Sequence, residues 1–254
     1  MLKQEPTIGQ KVTHLDSVTS TNDYLQQLLD TTGNIAEGTV IRANYQTSGR
    51  GLDKNMWESE AGKNLLFTVY LTPYFLPSAK QFYLNMSIAL GLVDFVRSII
   101  TTEDVTIKWP NDIYINNQKA SGILIKHAIS GRTIMHTLVG IGLNVNQKTF
   151  PTDIPNPVSL VHFLKNKTNL DEAFGNLMSY LNKRYIQLVI RNYDALKKEY
   201  ISALFGLHEW LEFSYMGQKI TAMITGIGEF GHLHLKTRDS ADIICDLKEI
   251  TFIL

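Results

Sequence analysis

Three short stretches carry residue types that could do chemistry on an anion. In Gln46-Thr-Ser-Gly-Arg-Gly-Leu-Asp-Lys-Asn-Met-Trp57 an arginine stands between two glycines and a tryptophan follows. Gly49 and Gly51 let backbone N–H groups come close to a ligand. Arg50 offers a planar cation for bidentate contact with carboxylate or phosphate, and Trp57 can wall an apolar slot. The same spacing also fits a hairpin with an exposed arginine and a core tryptophan. In Ile107-Lys-Trp-Pro-Asn-Asp112 a strand delivers Lys108 to a rigid turn at Pro110. That suits an ammonium aimed into a cleft, or a plain turn with a solvated lysine. In Gly140-Ile-Gly-Leu-Asn-Val-Asn146 the strand glycines mark a bulge or a close approach. Asn144 and Asn146 are expected on one face, where amides suit a purine edge or an ordinary strand end.

The elements that must position these residues read as mixed α and β. A strand starts near Val12 and ends near Ser17. Ser20-Thr-Asn-Asp23 then resembles a helix cap ahead of YLQQLL. Strands follow at Thr39 to Gln46 and Leu65 to Leu71, then a long apolar helix over 80–100. VTIKW, YIN, GILIKHAI and TLVGIGLNV are closely spaced strands, with turns at Pro110 to Asp112 and at Ser130-Gly131, and their spacing favours an antiparallel meander. Pro151, Pro155 and Pro157 mark a loop, and Asp171 to Leu204 reads as helix. Beyond Phe205-Gly206 the chain changes to short strands and turns, which suits a small appended β-barrel.

Other patterns lead away from chemistry. Gly226 to Gly231 fits GxGxxG, but HLHLK after it alternates like a strand, whereas a dinucleotide fingerprint opens a helix. His232 and His234 read as a solvated strand face, with no third metal ligand nearby. There is no P-loop, no GxSxG elbow and no zinc-type Cys/His cluster. The single Cys245, in IICDL, is expected to pack as a small hydrophobe. Lys plus Arg number 24 and Asp plus Glu 24, so the bulk field of a nucleic-acid binder is missing. No leader-like apolar region and no run of 18 apolar residues appears, so the expectation is a cytoplasmic chain with no membrane span. The sequons at Asn85 and Asn166 then read as chance.

Taken together and in order, these stretches resemble the biotin protein ligases. That family carries an STN segment, a GRG loop followed by tryptophan, a KWPND turn, a Lys-x-x-Gly-Ile-Leu strand and a Gly-x-Gly-x-Asn strand. Here they stand as Ser20-Thr-Asn22, Gly49-Arg-Gly51 with Trp57, Lys108-Trp-Pro-Asn-Asp112, Lys119-Ala-Ser-Gly-Ile-Leu124 and Gly140-Ile-Gly-Leu-Asn144. The resemblance spans residues 12–146. It implies an α+β catalytic domain of class II synthetase type over 1–206, with a mixed, largely antiparallel sheet. An SH3-like β-barrel over 207–254 would follow.

The resemblance also implies a reaction. Biotin is activated by ATP, with Mg²⁺, as biotinyl-5′-AMP, then transferred to a lysine of a biotin carboxyl carrier domain of acetyl-CoA carboxylase or a related carboxylase. It places biotin among Ser20, Thr21, Asn22, Gln46, Gly49, Arg50, Gly51, Leu52, Trp57, Lys108 and Gly122. It places the nucleotide at Arg50, Trp57, Lys108, Asn111, Gly142 and Asn144. Arg50 and Lys108 are the expected catalytic cations, bridging carboxylate and α-phosphate, and the glycine-flanked loop is expected to fold over the adenylate. Asp112 is a candidate Mg²⁺ ligand. No nucleic-acid or membrane partner is expected, and a homodimer through sheet edges stays open. Two departures stand out. Leu52, followed by Asp53, occupies a position where the family often has a second arginine. A first strand near Val12 leaves no room for the winged helix-turn-helix of some members, so a form lacking that regulator is expected. Two rivals remain: a lipoate ligase or octanoyl transferase of the same fold, and a non-catalytic biotin or adenylate sensor.

Overall fold

The computed structural model describes residues 8–52 and 55–253; Asp53 lies outside them. Alternating side chains make β1 (Val12–Val18). Ser20, extended at φ −156°, then caps α1 (Thr21–Thr32) by accepting from the Asp23 N–H at 3.4 Å. Gly33 closes the helix at φ 65°, donating to Leu29 O. Next come β2 (Val40–Gln46), the short hairpin of β3 (Gly49–Arg50) and β4 (Met56–Trp57), and β5 (Leu65–Leu71), which is buried at every position. α2 (Phe82–Ile99) leads to β6 (Val105–Lys108), β7 (Asp112–Ile115), β8 (Gln118–Ser130) and β9 (Thr133–Leu143). The helices α3 (Leu170–Val189) and α4 (Tyr193–Ser202) precede five short strands. These are β10 (Trp210–Tyr215), β11 (Gln218–Ile227), β12 (Leu233–Thr237), β13 (Asp242–Cys245) and β14 (Ile250–Ile253).

One seven-stranded sheet runs β1-β2-β5-β9-β8-β7-β6. Only β1 and β2 pair parallel; the remaining pairs are antiparallel, as the close strand spacing implied. The second sheet, β13-β12-β11-β10-β14, is antiparallel throughout and fits an SH3-like barrel. The expected α+β class is therefore borne out. α2 lies in the core between the large sheet and α3. A Cβ at Gly91 would meet Leu181 Cδ2 at 2.9 Å, so this glycine sets how closely the two helices approach. Residues 78–99 are long and apolar enough to cross a membrane, but 67% of that window is buried inside the protein, which accounts for its composition by core packing.

Two expectations need correction. The helix read over Asp171 to Leu204 is two helices. Arg191 adopts φ 60°, and α4 folds back to bury Leu196 and Tyr200. No glycine or proline marks that break, so the continuous apolar spacing hid it. The asparagines 144 and 146 do not share a strand face, because β9 ends at Leu143. The Gly226–Gly231 segment joins β11 to β12 as a hairpin connection, as expected. Cys245 is buried, and burial pushes its thiol up to about 11.

The second sheet is fastened beside the KWPND turn. The Trp109 Nε1–H donates to Gly231 O at 2.9 Å, and Phe205 N–H donates to Ile107 O at 2.9 Å. On the other side of the turn, Tyr200 Oη–H and Asn85 Nδ2 both donate to Pro110 O, at 2.6 and 2.8 Å. The turn is thus held from three elements.

Candidate active site

Gly122 on β8 lies opposite Gly142 on β9, and the Trp57 indole rests on this bare patch. A Cβ at Gly142 would stand 2.3 Å from Trp57 Cε2, and one at Gly122 3.0 Å from Cζ3. One pleat along β9, a Cβ at Gly140 would stand 2.0 Å from Asn22 Nδ2. These glycines form a floor on which an aromatic ring and an amide lie flat. The strand glycines did signal a close approach, and the approaching groups are side chains from β4 and α1. Gly49 and Gly51 serve the same purpose. Neither has a positive φ; a Cβ at Gly49 would meet Trp57 O at 2.3 Å, and Gly51 N–H donates to Asn55 O at 2.8 Å.

A cavity of about 310 Å³ opens above this floor, lined by Thr21, Asn22, Gln46, Arg50, Gly51, Leu52, Trp57 and Lys108 among others. Its inner end is polar and only partly satisfied. Thr21 N–H and its hydroxyl both donate to Gln46 Oε1, at 2.8 and 3.0 Å, and the Thr68 hydroxyl donates to Thr21 Oγ1 at 2.8 Å. That network fixes Gln46 with its amide N–H₂ turned elsewhere. Asn22 Oδ1 and Trp57 Nε1 are buried without a partner. Such atoms are costly to leave unpaired, so both are available to bond a ligand or a water in the cavity. Ser20 does not line the cavity; it is fully buried as the α1 cap.

Three cations border the same space. Arg50 Nε rests on Asp23 Oδ2 at 2.9 Å, well exposed. Lys119 Nζ pairs with Asp112 Oδ2 at 2.7 Å and lies 5.8 Å from the Trp57 ring. Lys108, opposite Asp112 in the β6–β7 pairing, sits against the rings of Tyr114 and Phe252. Burial lowers the Lys108 pKa, Asp112 pulls it back up, and Lys119 adds to the lowering. Arg50 and Lys108 therefore do line one cavity, as the sequence suggested. Lys119 stands in the Lys-x-x-Gly-Ile-Leu motif, whose spacing alone assigns it no role. The C-terminal residues Leu247, Ile250, Thr251 and Phe252, which also line the cavity, were missed altogether. Nothing in the spacing of Asp246-Leu-Lys-Glu-Ile-Thr-Phe252 announces a cavity-facing surface.

Asn144 faces a second cavity, of about 500 Å³, together with Trp57, Lys119, Phe150 and Asp153. Its Nδ2 donates to Val158 O at 3.2 Å, while its Oδ1 is buried and unpartnered. Trp57 and Lys119 thus belong to both cavities and form the wall between them. Asn146 is structural: it bonds the backbone of Thr168 in both directions, at 2.8 and 2.9 Å. Asn111 lines the first cavity, but its Nδ2 is spent on Ile123 O, holding the turn to β8. Asp112 is neutralised by Lys119, and among the described residues no three His, Cys, Asp or Glu gather as a metal set. Asp112, the expected Mg²⁺ ligand, thus faces a lysine in this structure.

The sequence model of the Biotin/lipoate A/B protein ligase family matches residues 14–144. The bifunctional ligase/repressor BirA of Bacillus spizizenii is 28% identical over 251 residues, covering 95% of this chain and 76% of that protein. The biotin--[acetyl-CoA-carboxylase] ligase of Mycobacterium tuberculosis is 28% identical over 177 residues, covering 68% of this chain and 64% of its own length. Among solved structures, the biotin protein ligase of Aquifex aeolicus in complex with biotin and ATP superposes with a TM-score of 0.79 at 24% identity. It covers 95% of this chain and 98% of the other, a likeness of fold. The matched segment holds α1, the glycine floor, the KWPND turn and all three cations, and on that match the chain belongs to the biotin/lipoate A/B protein ligase family.

Proposed function

We propose that this chain is a biotin–protein ligase, which forms biotinyl-5′-AMP from biotin and MgATP and then biotinylates a lysine of a carboxylase carrier domain. The observation that carries this is the pair of cavities meeting at Trp57 and Lys119, each lined by a residue with a buried, unpartnered amide oxygen, Asn22 in one and Asn144 in the other. A ligand with a cyclic urea at one end and a purine at the other would satisfy both, with its anionic centre at the cationic wall.

In the first step a biotin carboxylate oxygen bonds to the α-phosphorus, the bond to the β-phosphate breaks, and pyrophosphate leaves. Two anions must meet, so their repulsion has to be offset where charge builds up. Arg50, Lys108 and Lys119 are the groups for this. The Asn22 Oδ1 accepts from a ureido N–H, and the Gln46 amide N–H₂ donates to the ureido oxygen. In the second step the neutral amine of an acceptor lysine attacks the acyl carbon and AMP leaves. Trp57 and the β3–β4 hairpin then shield the mixed anhydride from water. We further propose residues 1–206 as the catalytic domain and 207–254 as the appended barrel, a cytoplasmic setting, and a homodimer as one assembly to examine.

Leu52 favours a second reading. An apolar side chain lines the cavity where the family often has arginine, and a sensor that binds adenylate without turnover would tolerate that. Mass spectrometry of a carrier domain incubated with the protein, Mg²⁺, ATP and either biotin or lipoate, with pyrophosphate release followed in parallel, decides. Addition of one biotinyl group supports the ligase. Biotin binding with neither pyrophosphate release nor transfer supports the sensor, and modification by lipoate but not biotin rejects both.

A further inference from the structure

The Lys108 ammonium is held by aromatic carbon. Its Nζ lies 5.5 Å from the Tyr114 ring centroid and 5.0 Å from that of Phe252, both within cation–π reach. Among the described residues it makes no ion pair, whereas Lys119 has taken Asp112 at 2.7 Å. Tyr114 stands on β7, in the same sheet as Lys108. Phe252 comes from β14, in the other sheet. Its ring is fixed from behind by Phe213 at 4.9 Å, its cross-strand partner, and by Phe205 at 6.3 Å. Phe205 in turn packs on Tyr114 at 5.7 Å, which closes the seat. The bonds from Trp109 to Gly231 and from Phe205 to Ile107 hold the two sheets in register next to Lys108.

We propose that Phe252 is a positioning residue for adenylate formation: it completes, with Tyr114, an aromatic seat that holds the Lys108 ammonium at the cavity wall, unclaimed by a carboxylate. This rests on the reading of the cavity as the site of biotin adenylation. A lysine stem is long and flexible, and Asp112 is its cross-strand neighbour. Without the seat the ammonium would turn to that carboxylate or to water and its charge would be spent there. Aromatic faces hold a cation without neutralising it. The charged groups facing Lys108 are Asp112 and Lys119, with the Tyr114 hydroxyl kept protonated by burial. The second sheet thereby acts on chemistry carried by the first.

The test compares the full chain with Phe252→Leu, which keeps an apolar side chain and loses the ring face, and with Phe252→Tyr, which keeps the ring. Biotin-dependent pyrophosphate release should fall about tenfold in kcat for Phe252→Leu, the rate equivalent of one cation–π contact, with KM for biotin changed less than about twofold. Phe252→Tyr should restore most of the loss. A second readout needs no turnover: brief acetylation with acetic anhydride, read lysine by lysine by mass spectrometry. Lys108 should react slowly in the wild type and several-fold faster in Phe252→Leu, with Lys236 unchanged. Equal labelling in both proteins overturns the seat. Faster labelling with unchanged kcat overturns its role in the reaction. A wild type that releases no pyrophosphate with biotin sinks the reading of the cavity, and the labelling still decides the seat.

Discussion

Adding a single methyl group to each glycine of the floor should give a graded and position-specific loss. At Gly142 the new Cβ would lie 2.3 Å from Trp57 Cε2 and 2.6 Å from its Nε1. Ordinary carbon contacts sit at about 3.5–4.0 Å, so the indole must retreat by roughly 1 Å. Because Trp57 walls both cavities, that shift misplaces the reacting groups, and a displacement of this size costs on the order of 100-fold in rate. At Gly122 the contact is 3.0 Å, against the far edge of the ring, and a few tenths of an ångström of give should hold the loss to about tenfold or less. At Gly140 the Cβ would fall 2.0 Å from Asn22 Nδ2 and push that amide from the ureido end. Gly140→Ala should therefore raise KM for biotin more than it lowers kcat, which is the signature of lost ground-state binding. Biotin-dependent pyrophosphate release, with thermal melts to confirm folding, reads all three. Equal effects at positions 122 and 142, or a normal rate for a folded Gly142→Ala, would refute the reasoning.

Lys119→Ala, in the wall shared by both cavities, should abolish pyrophosphate release while the protein stays folded, and Lys108→Ala should do the same; retained release by either removes that lysine from the mechanism. Asn144→Ala should raise KM for ATP about tenfold, the worth of a buried hydrogen bond, and leave KM for biotin near its starting value; the reverse pattern would put the purine elsewhere. His127 bonds Thr137 Oγ1 at 2.8 Å, and burial holds its pKa down from 6.5 to about 4. The unfolded chain binds the proton first, so this contribution to stability is full above about pH 6.5 and is lost as pH falls toward about 4. His127→Gln should flatten the fall in melting temperature over that range, and an unchanged slope would count against it.

Much of the site was legible because its motifs are local. The STN cap, the Arg50 hairpin with Trp57 and the KWPND turn each set their own backbone, so residue types and spacing carried the geometry. What they touch was not legible. The partner of the Gly122–Gly142 patch is a tryptophan from a distant hairpin, and only β8–β9 pairing brings the two glycines together. Asn144 and Asn146 look alike in sequence, yet one keeps a free oxygen and the other is consumed by Thr168, a difference set by where β9 stops. Phe252 and Leu247 reach the cavity because Trp109 and Phe205 tie the second sheet to the turn, a long-range packing result that no periodicity encodes.

The most direct test is a crystal structure of this protein with biotinyl-5′-AMP bound. The account requires the phosphate within hydrogen-bond reach of Arg50, Lys108 and Lys119, the ureido group on Asn22 and Gln46, and the adenine edge on Asn144. An adenylate phosphate left to solvent, with those cations still resting on Asp23, the Phe252 ring and Asp112, would contradict it.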